Sequence, residues 1–85
     1  MTTANQWDRA QLTEVAGEIE SARNQHANMH SPHEAYSVIK EELDEFWDEV
    51  RKKDHDKGRM ANELTQIAAM AVRAVVDLDL RYGDE

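Results

Sequence analysis

A chain of 85 residues with a formal charge of −8 and no cysteine is long enough for one small domain with a modest core. Its acidity offers no basic face to nucleic acid or to an anionic membrane. Without cysteine there is no disulfide framework, which fits a reducing, cytoplasmic setting.

Residues 1–7 are polar and make no signal peptide, and the longest apolar run, residues 67–72, is too short to span a bilayer. Strand signals are missing: there are no alternating β-branched and aromatic runs, and no Asn-Gly or Asp-Gly hairpin turn. Helical periodicity occurs three times. The first helix is predicted from about residue 7 to about residue 25, with Leu12, Val15, Ala16, Ile19 and Ala22 as its apolar stripe and Gly17 as a mild weakness. Residues 24–30 form a linker rich in Asn and His. Ser31 as N-cap, Pro32 at the first helical position and Glu34 completing Ser-x-x-Glu mark the second helix. It is predicted to run to about residue 53, where Arg51, Lys52 and Lys53 suit the negative end of the helix dipole. After a polar break at residues 54–58, a third helix runs from about residue 59 to about residue 80 and ends near Gly83. The expected fold is all-α: a single domain over residues 1–85, three main helices in an antiparallel bundle. Residues 67–72 are apolar on every side, and Ala74, Val75 and Val76 continue the pattern. Such a helix needs neighbours all round, so the bundle is expected to be completed by self-association as a dimer or tetramer.

The acids of the second helix divide on a wheel of 100° per residue. Glu41, Asp44 and Asp48 fall on the polar side. Glu42 and Glu49 fall in the arc of Ala35, Val38, Ile39, Leu43 and Phe46, and Glu45 lies on its edge. Acidic runs are usually solvated faces, yet Glu42, Glu45 and Glu49 form a like-charged row that costs a bare helix about 0.2–0.5 kcal/mol per pair. Neither Glu42 nor Glu45 has a Lys or Arg four residues on. A second helix alongside adds Glu63 and Gln66. Hard oxygen donors without His or Cys suit Mg²⁺ or Mn²⁺ rather than zinc.

Glu41-Glu42-Leu43-Asp44-Glu45-Phe46, followed after a loop by Glu63-Leu64-Thr65-Gln66, resembles the MazG-like branch of the all-α nucleoside triphosphate pyrophosphatases, which carry Glu-x-x-Glu on one helix and Glu-x-x-Asp on the next. The resemblance covers about residues 31–80. It implies hydrolysis of a nucleoside triphosphate to the monophosphate and pyrophosphate, with Mg²⁺ (or Mn²⁺) polarising the phosphoryl group and activating water. By the resemblance, Glu42, Glu45 and Glu63 match metal ligands. Gln66 occupies the fourth ligand position, where the family has Asp; a neutral amide oxygen binds a hard cation less strongly. Glu41, beside the first ligand, and Glu49, which the wheel favours, are the candidates to orient or deprotonate the water.

Arg73 shares the helix face of Glu63 and Gln66. It is read either as the partner of Asp77, four residues on, or as a phosphate contact; Lys57 and Arg59 are further phosphate candidates. His26, His30 and His33 lack a zinc-ligand pattern and read as a polar linker. Trp7, Tyr36 and Trp47 read as core or interface rather than base-stacking groups. No glycine-rich phosphate loop or Gly-x-Ser-x-Gly elbow occurs. The rival to an enzyme is a non-catalytic helical oligomer acting as a binding or regulatory module, and Gln66 is the residue that favours it.

Overall fold

The computed structural model describes residues 3–80, which form three α-helices and no strand: α1 (Gln6–Gln25), α2 (Pro32–Val50) and α3 (Lys57–Asp77). Each start has a polar cap. Asn5 accepts from the N–H groups of Trp7 and Asp8 while the Asp8 carboxylate accepts from the Asn5 N–H, a reciprocal box the sequence reading did not identify. At α2, Ser31 accepts from the Glu34 N–H at 3.1 Å. The Glu34 carboxylate accepts from the His30 N–H, so the expected box is closed one residue earlier than Ser-x-x-Glu implies. Asp56 caps α3, accepting from the Arg59 N–H at 3.0 Å.

Two ends differ from expectation. α2 stops at Val50 rather than near residue 53, because the buried Glu49 carboxylate accepts from the Asp56 N–H at 2.8 Å and from Lys52 Nζ at 3.0 Å. Those bonds turn the chain at once into α3. The third helix stops at Asp77, where Asp79 takes a left-handed φ of 55°. There the Leu80 N–H bonds Val75 O and the Asp79 N–H bonds Val76 O, a Schellman closure in which Asp stands in for the usual glycine. Gly83 lies outside the described residues.

α3 is the central element and packs against both α1 and α2, which do not pack on each other. Val15 and Ala22 of α1, Met29 of the linker, Ala35 of α2, and Ala69, Met70 and Ala74 of α3 form the core, flanked by Ile19, Val38, Ile39, Ala68 and Leu78. The stripe read on α1 is displaced. Leu12 and Ala16 are exposed, and the face toward α3 runs through Gln11, Val15, Glu18 and Ala22. Leu43, placed in the apolar arc of α2, is also exposed. Among the described residues no large side chain is fully buried. The radius of gyration is 14.3 Å, against about 12 Å for a close-packed domain of this length. A cleft between α1 and α2, floored by α3, accounts for part of that openness.

The linker is held from α3. Asp77 Oδ2 accepts from the Met29 N–H at 2.8 Å, its Oδ1 pairs with Arg23, and Arg73 Nη2 donates to Ala27 O at 3.0 Å. Residues 26–30, between α1 and α2, are therefore ordered by two buried charged side chains four residues apart on α3. No helix of the described chain is long and apolar enough to cross a membrane.

Candidate metal centre

Successive turns of α2 bring Glu42, Glu45 and Glu49 along α3 at spacings of three and four residues. One carboxylate oxygen from each of Glu42, Glu45 and Glu63 lies within 4.8 Å of the other two. Among the described residues this is the one group of three or more His, Asp or Glu side chains close enough to share an ion. Glu42 and Glu63 are half-buried and Glu45 is exposed.

Electrostatics mark the same spot. Loss of water raises the Glu42 carboxyl to about 7, helped by the neighbouring carboxylates of Glu63 and Glu45. Glu45 is raised as well, by desolvation first and then by the neighbouring Glu63 carboxylate. Three carboxylates this close keep a proton among them or take up a cation. Glu63 Oε2 is moreover buried with no hydrogen-bond partner, and an orphan buried acceptor is uncommon in a folded protein.

The geometry fits a hard divalent ion. Mg²⁺–oxygen bonds of about 2.0–2.1 Å in an octahedron put adjacent ligands about 3 Å apart and opposite ones about 4 Å apart. The three oxygens lie within 4.8 Å of one another, close to that range.

Two cavities meet at the cluster. The larger, about 660 Å³, is the cleft between α1 and α2; Glu42, Glu41 and Val38 of α2 and Gln66 of α3 line it, together with Met70 on its floor and Asn28 from the linker. A smaller one, about 400 Å³, is lined by Glu45 and Glu63 and by the cations Lys52 and Arg59. The cluster thus has an amphipathic cleft on one side and, on the other, Arg59 and the Glu49-paired Lys52 among the carboxylates of Glu45, Asp48, Glu49 and Glu63.

The remaining sequence candidates are distributed as follows. Gln66 donates its amide to Glu18 Oε2 of α1 at 2.6 Å. Glu41 is exposed and borders the cleft. The Glu49 carboxylate, held low by the Asp56 N–H and then by Lys52, has both oxygens engaged in the α2–α3 connection. Arg73 is 3 % exposed and lies 4.0 Å from Asp77, the structural partner considered for it, while also lining the cleft. His26, His30 and His33 are exposed and form no metal group. Trp7, Tyr36 and Trp47 are exposed and line neither cavity; they are not core of the single chain.

Sequence reasoning missed two residues. Glu18 carries no motif of its own; its spacing of seven from Gln11, which puts both on one face of α1, is the one signal the sequence holds for it. Lys52 was read only as a helix-end charge. No family model, curated protein or solved structure matches the chain.

Proposed function

We propose that the chain is a divalent-cation-dependent nucleoside triphosphate pyrophosphohydrolase of MazG-like type, an antiparallel helical bundle completed by a second copy or more. The convergence of Glu42, Glu45 and Glu63, with one buried oxygen lacking a partner, carries this reading. When bound there, Mg²⁺ or Mn²⁺ supplies positive charge to the phosphate oxygens. Arg59 receives the outer phosphates in the smaller cavity, and the cleft between α1 and α2, with Met70 on its floor, receives the nucleoside. A cleft of about 660 Å³ is within the size range of small-molecule sites, about 300–1,000 Å³. Glu41 is the better candidate to take a proton from the attacking water, since Glu49 already holds Lys52 and the Asp56 N–H.

Self-association is supported by area. The accessible surface is 6781 Å², against about 5,200 Å² for a folded monomer of this mass. Part of that surplus belongs to the open cleft; the exposed Leu64, Val72 and Val76 of α3 are the part a second copy can cover.

The alternative, a non-catalytic helical module, draws on Gln66, a neutral residue at the fourth ligand position. The test is calorimetric titration with Mn²⁺ and Mg²⁺, alongside pyrophosphate release from a panel of nucleoside triphosphates. Wild type is expected to bind the cation and release pyrophosphate; Glu42→Gln and Glu45→Gln are expected to do neither. Binding without turnover on any nucleotide would favour the module. No binding at millimolar cation, even with nucleotide present, would sink both the metal and the hydrolase.

A further inference from the structure

Gln66 and Glu18 meet across the α1–α3 contact, 48 residues apart in sequence, with Gln66 Nε2 donating to Glu18 Oε2 at 2.6 Å. Both side chains are half-buried, and both line the cleft that Glu42 borders. An amide has a donor end and an acceptor end, and the hydrogen-bond network decides which way each points. A carboxylate oxygen accepts, so Glu18 commands the NH₂ end and turns the carbonyl oxygen away from itself. Gln66 lies three residues after Glu63, on the same face of α3. With its NH₂ tied to α1, the group Gln66 can offer to the carboxylate cluster is a hard, neutral oxygen.

The counter-case shows why this matters. Glu42, Glu45 and Glu63 are themselves strong acceptors within one small volume. A glutamine beside them, free to rotate, satisfies its NH₂ on those oxygens and occupies the lone pairs a cation needs. In the structure the Gln66 NH₂ is instead bonded to Glu18, across the cleft that Glu42 also lines.

We infer that Glu18 is a positioning residue of the metal centre, orienting Gln66 so that its carbonyl oxygen faces the cation and its NH₂ does not. This rests on the divalent-cation reading of Glu42, Glu45 and Glu63. It also explains how a glutamine can stand where a carboxylate is expected: the residue on α1 makes the amide behave as an oxygen ligand. Groups that orient a ligand from outside the coordination shell typically change metal affinity by about 10–100-fold when removed.

The experiment is Mn²⁺ titration by calorimetry on the folded protein, with folding checked by circular dichroism. The variants are Glu18→Ala, Glu18→Asp, Gln66→Asp and Gln66→Asp combined with Glu18→Ala. Glu18→Ala is expected to weaken Mn²⁺ about tenfold or more. Glu18→Asp keeps the charge but falls one methylene short, so it should weaken binding similarly. In the Gln66→Asp background there is no amide to orient, and removing Glu18 should leave the affinity unchanged or tighter. Should Glu18→Ala fail to fold, Glu18→Asp carries the same comparison.

Equal losses on removing Glu18 in both backgrounds, or full affinity in Glu18→Asp, would mean that Glu18 contributes only negative charge and would overturn the inference. Unchanged affinity in Glu18→Ala would reduce the contact to a link between helices. A wild-type protein that binds no Mn²⁺ would instead remove the underlying reading, and this inference with it.

Discussion

Asp77 is the residue on which the linker depends. Its side chain is 1 % exposed, and burial alone would raise its pKa. The Met29 N–H and the Arg23 guanidinium outweigh that, with Arg73 adding to them, and its carboxyl is held below the usual range. The sign of the pH dependence follows. A carboxylate with a depressed folded pKa contributes stability that is fully present above its unfolded value, near 4, and is lost as pH falls through the folded value. Glu49, also depressed, acts in the same direction. Asp77→Asn keeps the shape but removes the charge from Arg23 and Arg73. It is expected to cost about 1–3 kcal/mol at pH 7, the range for leaving buried polar groups without their partner. From about pH 4 downward the gap between variant and wild type should narrow. Urea denaturation at pH 7, 5, 4 and 3 measures both; parallel curves at all four values would show that Asp77 is not the anchor. Arg73 takes part in the same arrangement, and its Nε has no partner of its own.

At the scale of elements, α1 is the helix most open to improvement. Gly17 sits inside it, and a Cβ added there meets nothing within 4 Å. Gly17→Ala is therefore expected to stabilise the chain by about 0.5–1 kcal/mol, raising the urea midpoint without changing the slope. A loss of stability would mean that another chain approaches this face too closely for a methyl group. The helices differ in how much of them was legible beforehand. Ser31 and Pro32 fixed the start of α2, because capping is a local matter of one side chain and the first turn. The end of α2 was misjudged, because a distant N–H, that of Asp56, takes the Glu49 carboxylate and halts the helix. Likewise Leu12 and Ala16 read as core by spacing, but α3 meets α1 along Gln11, Val15, Glu18 and Ala22. Polar residues can face a neighbouring helix when they find partners there, and hydrophobic periodicity does not register them. The spacing of Glu42 and Glu45 was plain in the sequence, since it needs only one helix. The Glu18–Gln66 contact was not, since it depends on how α1 docks on α3.

At the scale of the molecule, the single chain leaves apolar surface that three helices do not cover. Leu64, Val72 and Val76 are 49 %, 44 % and 55 % exposed along one side of α3, and Leu43 and Trp47 are 51 % and 57 % exposed one turn apart on α2. Among the described residues, ten large hydrophobic side chains are exposed while the buried core is alanine, valine and methionine, a balance that leaves an isolated domain of this size marginal. The buried half of α3 already meets α1 and α2 through Thr65, Ala69, Met70, Arg73 and Ala74, so the other half is the surface free to meet another copy. A charge of −8 opposes association at long range, and at physiological salt that repulsion is screened over about 8 Å, which leaves apolar contact to decide. Sedimentation at micromolar concentration is expected to report a dimer or tetramer, with a melting temperature that rises with protein concentration, as mass action requires. Val72→Glu puts a charge in the middle of the exposed stripe, away from the carboxylate cluster and from both cavities. It should shift the protein toward monomer and abolish the concentration dependence. Glu14→Gln, on an exposed position of α1, serves as a charge control and should change neither. A wild type that sediments as a monomer across the micromolar range, with a melting temperature independent of concentration, would show that the three helices suffice and that the apolar side of α3 has another use.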